Sequence, residues 1–421
     1  MSDQKNATPV PGTIMVVGGG ISGITTALEA AEVGFEIFLI EKNPYLGGRV
    51  SQLNKYFPKL CPPTCGLEIN FQRIKKNKNI KWFTLTEVEK ISGGPGSYDV
   101  TLKTSPRYVN GNCTGCNKCA EACDVEIPNA FNFGMNKRKA AYLPHEMAFP
   151  QRYVLDPSII GTATAQKCKD ACAYSAIDLD DKARSFNVKV ASIVWATGWN
   201  PYDPTRMENL SFGKVQNVVT NMMMERLAAD NGPTHGKIVR PSDGKEVNNI
   251  AFVQCAGSRD ENHLPFCSYI CCMASLKQTT YIREKNPDSK VTVFYIDLRT
   301  PGRYEKFYKK VKADGNVSFV KGKVARIEED PATKDAIVTV EDTLSGQKLQ
   351  ERFDMVVLAT GMEPSTASSK VPGNAKYDEN GFVIPGEILA TGCCKKPSDV
   401  MLSGETATGT ALKAIQTLVR R

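Results

Sequence analysis

Residues Thr13 to Val17 are a short β-branched, apolar run that leads into Gly18-Gly19-Gly20-Ile21-Ser22-Gly23, and Ile24 to Val33 follows with helical spacing. A strand, a glycine turn and a helix in that order leave few folds open. Phe35 to Ile40 reads as a second strand, and it ends at Glu41, 23 residues after Gly18 and close to the spacing a ribose-binding carboxylate needs. The unit is therefore expected to be a βαβ nucleotide fold. Gly18, Gly20 and Gly23 would let the backbone approach a pyrophosphate, whose charge the free N–H groups at the helix start neutralise. Glu41 would accept the ribose hydroxyls. A glycine-rich turn without a ligand is the plainer reading of the six residues alone; the flanking strand and helix and Glu41 favour the nucleotide site.

At 421 residues the chain is long enough for two or three domains of roughly 150 residues each. With 41% apolar and 23% charged residues it is an ordinary globular composition, and its net charge of +8 is spread along the sequence, so nucleic acid is not an expected partner. Met1 to Gly12 lacks the apolar core of a signal peptide and no run of about 18 apolar residues occurs, so a cytoplasmic chain that does not span a membrane is expected. In such a chain 14 cysteines point to metal or redox chemistry, and three histidines argue against a multi-histidine zinc or haem site.

The segment after Glu41 begins with Lys42 and continues into Tyr45 to Arg49, YLGGR. It resembles the stretch after the acidic residue in flavoproteins with two dinucleotide-binding domains, where the cofactor is FAD. Those proteins return to the flavin through an Ala-Thr-Gly turn closing a strand, and two such turns occur here: Ala196-Thr197-Gly198 after Ser192 to Trp195, and Ala359-Thr360-Gly361 after Met355 to Leu358. The resemblance makes Gly18, Gly20, Gly23, Glu41, Lys42, Gly48, Arg49, Thr197, Gly198, Gly361 and Gly392 the expected FAD-binding residues. The fold class expected is α/β: a Rossmann-like FAD domain, a second nucleotide-type domain and a ferredoxin-like insertion. Its FAD domain would take residues 1–106, 181–248 (return and connection) and 354–421, with the insertion at 107–180 and the second domain at 249–353. No GxGxxG follows the strand IAFVQC that opens this second domain. Val317 to Phe353 reads as hairpin-like, and a helix is expected over Thr410 to Val419.

Cys113, Cys116, Cys119 and Cys123 have C-x2-C-x2-C-x3-C spacing, which wraps a short loop around a 4Fe-4S cubane; a structural zinc site is the alternative. Aligned on that motif, Cys168 and Cys172 take the third and fourth positions of a second copy whose first two are Thr162 and Ala165, which supply no thiolate. Because each copy's fourth cysteine ligates the other copy's cluster, the surviving cluster is assigned to Cys113, Cys116, Cys119 and Cys172, with Cys123 as the alternative fourth ligand. A second group, Cys255, Cys267, Cys271 and Cys272, reads as one cysteine ending a strand and three opening a helix, able to hold an iron-sulfur cluster or to be buried and inert.

These motifs, with QCAGSRDE, CSYICCM and DLRTPGRYEKFYKKVKADG (Asp297 to Gly315), resemble the A subunit of heterodisulfide reductase and its relatives over most of the chain. In that heterodisulfide reductase A-like family the cysteines matching Cys255, Cys267, Cys271 and Cys272 ligate a 4Fe-4S cluster near the flavin, and the resemblance implies the same here. Without the long extra domains of those proteins in its 421 residues, the chain is expected to be a compact form of that subunit. Its compact core, with Phe57 to Arg73 (FPKLCPPTCGLEINFQR), is more similar to the A subunit of the quinone-interacting membrane-bound oxidoreductase complex of sulfate reducers. That resemblance implies an oxidoreductase: an FAD and iron-sulfur electron-transfer subunit, cytoplasmic and attached peripherally to the membrane. Its expected partners are a membrane quinone-reactive subunit, an iron-sulfur flavoprotein subunit and adenylylsulfate reductase.

Cys61 and Cys65 lie near where disulfide reductases of this fold keep their redox pair, although their spacing is C-x3-C rather than C-x4-C. They are the redox candidates of the competing reading, a free-standing NAD(P)H-dependent flavin disulfide reductase. A third reading is an interaction subunit whose flavin is vestigial. Cys393 and Cys394 are not expected to bind metal, His263 is read as a satisfied loop histidine, and the basic run Arg73 to Lys81 as a solvated helix face rather than a docking patch.

Overall fold

The computed structural model describes residues 12–419. Its first sheet has five parallel strands in the order Leu389–Ala390, Ser192–Trp195, Thr13–Val17, Glu36–Ile40 and Ile80–Phe83. The expected strand, turn and helix are in place: Thr13–Val17 runs through the glycines into the helix Ile21–Glu32, and Val17 pairs with Ile40 on one side and Trp195 on the other. That helix packs against the last helix, Val400–Val419, through Ala27, Ala30 and Ala31 on one side and Ala411 and Ala414 on the other, small residues that let two helices lie close. The last helix begins ten residues before the expected Thr410, because its first half (Ser403, Gly404, Thr406, Ala407) is too small and polar to show an apolar stripe. The other face of the sheet is covered by three antiparallel strands, Thr86–Gly94, Ser97–Thr104 and Arg184–Val190, over Met15, Ile40 and Trp195.

The second unit repeats this plan. Its parallel sheet runs Val218–Thr220, Met355–Thr360, Asn249–Ala256, Lys290–Tyr295, Val317–Lys321. Helices Cys271–Lys285 and Tyr304–Lys312 cover one face, and antiparallel strands Val324–Glu329, Ala336–Asp342 and Gln347–Phe353 cover the other. Val317–Lys321 is thus a parallel strand and not part of the hairpin-like stretch. The expected domain boundaries also need correction. They assign Val218–Thr220 and Met355–Thr360 to the FAD domain, yet both strands lie in the second sheet, because an apolar strand before an Ala-Thr-Gly turn occurs in each sheet and Val218–Thr220 is too short to carry a pattern of its own. The chain crosses between the units twice, on the paired strands Trp199–Pro201 and Met362–Pro364.

Residues 107–180 form a compact insertion with strands of only two or three residues and short helices at Lys118–Ala122 and Ala163–Asp170. It has its own core, built on Val109, Cys119, Cys123, Tyr153, Leu155, Cys168 and Ile177. Arg107 donates to the Pro44 carbonyl at 2.6 Å, and Gln52 Nε2 to the Phe131 carbonyl at 3.1 Å, so the insertion is tied to the segment after Glu41.

Candidate functional site

At the carboxyl end of the first sheet the glycine turn opens on a cleft of about 700 Å³. Gly18 has φ +115°, and a Cβ there would lie 2.2 Å from the Ala196 carbonyl oxygen. A Cβ at Gly23 would lie 1.7 Å from the Gly18 oxygen, so this glycine lets the helix close on the strand and does not itself line the cleft. Gly20 differs: the nearest atom to its Cβ position is Gly48 Cα at 3.8 Å, so its free side faces the cleft.

Glu41 is 5% exposed and holds the turn. Its Oε2 accepts from Gly19 N at 2.7 Å, and its Oε1 from Asn43 N at 2.7 Å and Asn43 Nδ2 at 2.8 Å. Burial pushes this carboxyl above its ordinary range, against the pull of those N–H donors. Two oxygens with about four lone-pair sites leave room for a further donor. Lys42, Gly48, Arg49, Thr197 and Gly198 also line the cleft. Arg49 is fixed by Trp199 O at 3.2 Å and Asn200 Oδ1 at 2.7 Å, and burial lowers its pKa. Arg138 Nε, from the insertion, is buried without a hydrogen-bond partner. Buried polar groups are nearly always paired, so this wall is suited to a polar ligand.

Gly361 is not part of this cleft. Its N–H closes the second sheet on the Ala256 carbonyl at 3.0 Å, and a Cβ there would meet Ser258 Oγ and Leu264 Cδ1 at 2.6 Å. Gly392 (φ +66°) stands just behind the cleft against Ser22, whose Oγ a Cβ would approach to 2.2 Å; Cys393 beside it does line the cleft. Sequence reasoning missed Arg138 and Tyr142, which reach the cleft from the insertion, and the start of the last helix at Asp399 and Val400. It also missed a smaller cavity of about 120 Å³ sharing Arg49, Val50 and Trp199 with the cleft and lined by Glu225 and Lys277. That ion pair is 3.0 Å long and 2–5% exposed, and Gln278 and Tyr281 also bond Glu225. A lysine and a glutamate 52 positions apart give no local pattern to read.

The second cysteine group gathers beyond this cavity. Cys255 ends its strand at φ +56°, and Cys271 and Cys272 open the helix as expected, whereas Cys267 lies in the loop before it and accepts from Tyr269 N at 3.4 Å. Burial, then the neighbouring Cys255, Cys272 and Cys267, hold the Cys271 thiol well above its ordinary range. Cys272 is pushed up to about 11, mainly by burial. Buried thiols held up in this way, those of Cys255, Cys271 and Cys272, are costly as thiolates unless a cation compensates, which is the chemistry a metal centre supplies. Among the described residues no three His, Cys, Asp or Glu side chains stand in metal-holding positions.

In the insertion Cys119 is pushed up to about 12 by burial, then by Cys113 and, more weakly, Cys116. Cys168 is likewise pushed up to about 12, by burial and then by Cys123, whose side chain it contacts. Cys172 sits at the edge of the same core and accepts from Ala176 N at 3.3 Å.

Cys61 and Cys65 line neither cavity; Cys65 is exposed at the start of the helix Pro63–Lys76. Cys393 and Cys394 are buried, with thiols donating to the Ser398 and Trp195 carbonyls. His263 Nδ1 is bonded to Tyr202 OH at 2.9 Å. Arg73 and Lys81 are paired with Glu32 and Glu36, each at 2.6 Å.

A family model described as NAD(P)-binding Rossmann-like domain matches residues 16–80. Among solved structures the fold is similar to Lactococcus lactis thioredoxin reductase (TM-score 0.53, 12% identity, 98% of this chain and 100% of that one). It is also similar to the Bacillus cereus bacillithiol disulfide reductase (TM-score 0.52, 14% identity, 97% and 99%). These likenesses establish a fold with two dinucleotide-binding domains. Two curated relatives are much nearer in sequence. The second iron-sulfur A subunit of the CoB–CoM heterodisulfide reductase of Methanopyrus kandleri is 37% identical over 421 aligned residues, 96% of this chain and 64% of its own. The A subunit of the H(2)/formate:CoB-CoM heterodisulfide,ferredoxin reductase of Methanococcus maripaludis is 39% identical over 368 residues, 85% of this chain and 55% of its own. The chain thus spans between about half and just under two thirds of these relatives' length. Over that span it is similar, at 33–38% identity, to A subunits of heterodisulfide reductases.

Proposed function

We propose that this protein is an oxidoreductase, an FAD and iron-sulfur electron-transfer subunit of a multi-subunit redox complex. The observation that carries this reading is the glycine turn clamped by Glu41 and opening on a cleft lined by Arg49 and by Arg138, whose buried Nε has no partner. The adenosine end of FAD would lie along Glu41 and Lys42, its pyrophosphate over Gly18 and Gly20, and its ring system beside Gly48, Arg49, Thr197 and Gly198. When bound, FAD exchanges electrons in pairs or singly. The chain's own residues supply position: Glu41 holds the turn, Arg49 is locked by Trp199 and Asn200 before any ligand arrives, and Lys277 is fixed by its 3.0 Å ion pair with Glu225.

The donor sets are all sulfur and suit two 4Fe-4S clusters, one on Cys255, Cys267, Cys271 and Cys272, the other on Cys113, Cys116, Cys119 and Cys172. The contact between Cys123 and Cys168 favours this second set over one closed by Cys123, since it groups the two cysteines that the crossing rule releases. The finer role, linking the quinone pool to adenylylsulfate reductase in dissimilatory sulfate reduction, rests on the resemblance carried by Phe57 to Arg73. It would place the protein in the cytoplasm, held at the membrane by a quinone-reactive subunit and an iron-sulfur flavoprotein subunit. No helix among the described residues is long and apolar enough to cross a membrane.

The competing disulfide reductase reading is disfavoured on two observations. Cys61 and Cys65 do not line the cleft, and the turn that would cradle a pyridine nucleotide is filled: Tyr202 lies 2.4 Å from a Cβ placed on Gly257, and Ser258 bonds Ser268 at 2.6 Å. The test is to follow flavin reduction by NADH and by a quinol analogue in the protein purified with its partners. Reduction by quinol but not by NADH supports the proposal; rapid reduction by NADH supports the rival. No reduction by either, despite bound FAD, supports the vestigial flavin.

A further inference from the structure

The second cysteine group lies beneath a face whose charge the proposed function leaves unused. Cys272 Sγ contacts the Asp297 carbonyl oxygen at 3.8 Å, and the chain from Asp297 leads over the group into the amphipathic helix Tyr304–Lys312. Tyr304, Phe307, Tyr308 and Val311 turn inward onto the domain core, where Phe307 packs edge-on against Phe57 and Tyr308 against Phe319. The outward side carries Arg299, Arg303, Lys306, Lys309, Lys310 and Lys312, with Glu305 the sole carboxylate between Leu298 and Ala313.

Solvated charge on a helix is ordinary, and the run Arg73 to Lys81 is an example: Arg73 and Lys81 are bound to Glu32 and Glu36, while Lys75, Lys76 and Lys78 have no carboxylate within 4.0 Å among the described residues, and the run lies away from both cysteine groups. Pairing here is as sparse, and what sets this face apart is that it starts at Asp297 and Arg299, which lie against the cysteine group. Arg299 meets Asp297 at 3.4 Å and Lys309 meets Glu305 at 4.0 Å, while Arg303, Lys306, Lys310 and Lys312 have no carboxylate within 4.0 Å among the described residues. Unbalanced charge of one sign steers an oppositely charged partner and raises its association rate roughly 10-fold or more at low salt.

We propose that this face is the docking surface for an acidic redox protein that exchanges electrons with the chain through the centre held by Cys255, Cys267, Cys271 and Cys272. The surface rests on the cluster assignment made above for those cysteines. One electron crosses per encounter: a reduced partner is oxidised, the centre is reduced, and no bond or proton changes hands at the interface. Co-location decides for a protein over another polyanion, since the positive face continues from Asp297 and Arg299, which lie against Cys272 and Cys267.

The test uses the anaerobically purified full chain and a small acidic two-cluster ferredoxin as probe. Its dissociation constant and the second-order rate at which the dithionite-reduced probe is oxidised are measured from about 50 to 500 mM salt. The variant Lys306→Glu/Lys310→Glu should weaken binding and slow the rate about 10-fold at low salt and flatten both salt dependences, with iron and flavin contents unchanged. Lys75→Glu/Lys76→Glu, at the other basic run, should change neither. Equal effects of the two variants, or none from the first, would overturn the proposal, as would binding to anionic phospholipid vesicles lost in the first variant while ferredoxin binding stays intact. Cys272→Ser separates the two assignments. Loss of iron and of electron exchange with the dissociation constant retained supports both; unchanged iron content refutes the cluster, while the binding result still judges the surface.

Discussion

Replacing Glu41 by glutamine changes one atom of a carboxyl group that three N–H donors share. A carboxylate accepts on both oxygens, whereas an amide accepts on one and donates from the other. The less costly orientation turns the amide oxygen toward Asn43 N and Nδ2, leaving the amide NH2 facing Gly19 N, 2.7 Å away in the native turn. A buried N–H without an acceptor costs about 1–3 kcal/mol, and two bonds lose their charge assistance at about 1 kcal/mol each. Against this stands the relief of a buried charge, which dominates the raised pKa of Glu41. The net expectation is a loss of about 1–3 kcal/mol in the apoprotein and FAD bound about 10- to 100-fold more weakly, at 1.4 kcal/mol per tenfold.

The sign of the pH dependence follows from linkage. The folded carboxyl titrates above 4.5, so between that value and its raised one the folded state binds more protons than the unfolded. The stability contributed by this group therefore falls as pH rises through that window and is flat above it, and Glu41→Gln removes the slope. Urea midpoints of both apoproteins across the window, with FAD titrations by fluorescence quenching, measure all three quantities. Flavin affinity within twofold of wild type and superimposable midpoint profiles would refute the reasoning.

Gly20→Leu should abolish flavin binding with the apoprotein melting temperature nearly unchanged, because its Cβ position is open to the cleft, whereas Gly23→Ala should destabilise the apoprotein, its Cβ falling 1.7 Å from the Gly18 oxygen. Equal melting losses in the two variants would contradict this difference. NADH should not reduce the flavin of the isolated chain in an anaerobic stopped-flow trace, since Tyr202 fills the second turn. Cys172→Ser should remove the insertion cluster's electron paramagnetic resonance signal and Cys123→Ser should leave it; the reverse result would assign the fourth ligand to Cys123.

The first nucleotide unit was legible because its constraints are local: a strand, three glycines and an acidic residue within Thr13 to Glu41 must lie in register to work at all. Gly361 shows where local reading stops. Ala359-Thr360-Gly361 and Ala196-Thr197-Gly198 are the same three residues after the same kind of strand, and only sheet order, set by long-range pairing with Asn249–Ala256, sends them to different domains. The cysteine spacing was visible, but the contact of Cys168 with Cys123 depends on two helices from distant parts of the insertion packing together. Glu225 with Lys277, and Arg138 at the cleft wall, were invisible for the same reason. Each is ordinary in sequence and becomes part of the site only when separate elements meet.

The most direct test of the central claim is a cofactor count on the anaerobically purified chain: flavin released by denaturation, iron and acid-labile sulfide, each per polypeptide. The account predicts one FAD held noncovalently and about eight iron and eight sulfide atoms, two 4Fe-4S clusters. A chain that binds neither FAD nor iron after anaerobic purification and reconstitution would contradict it.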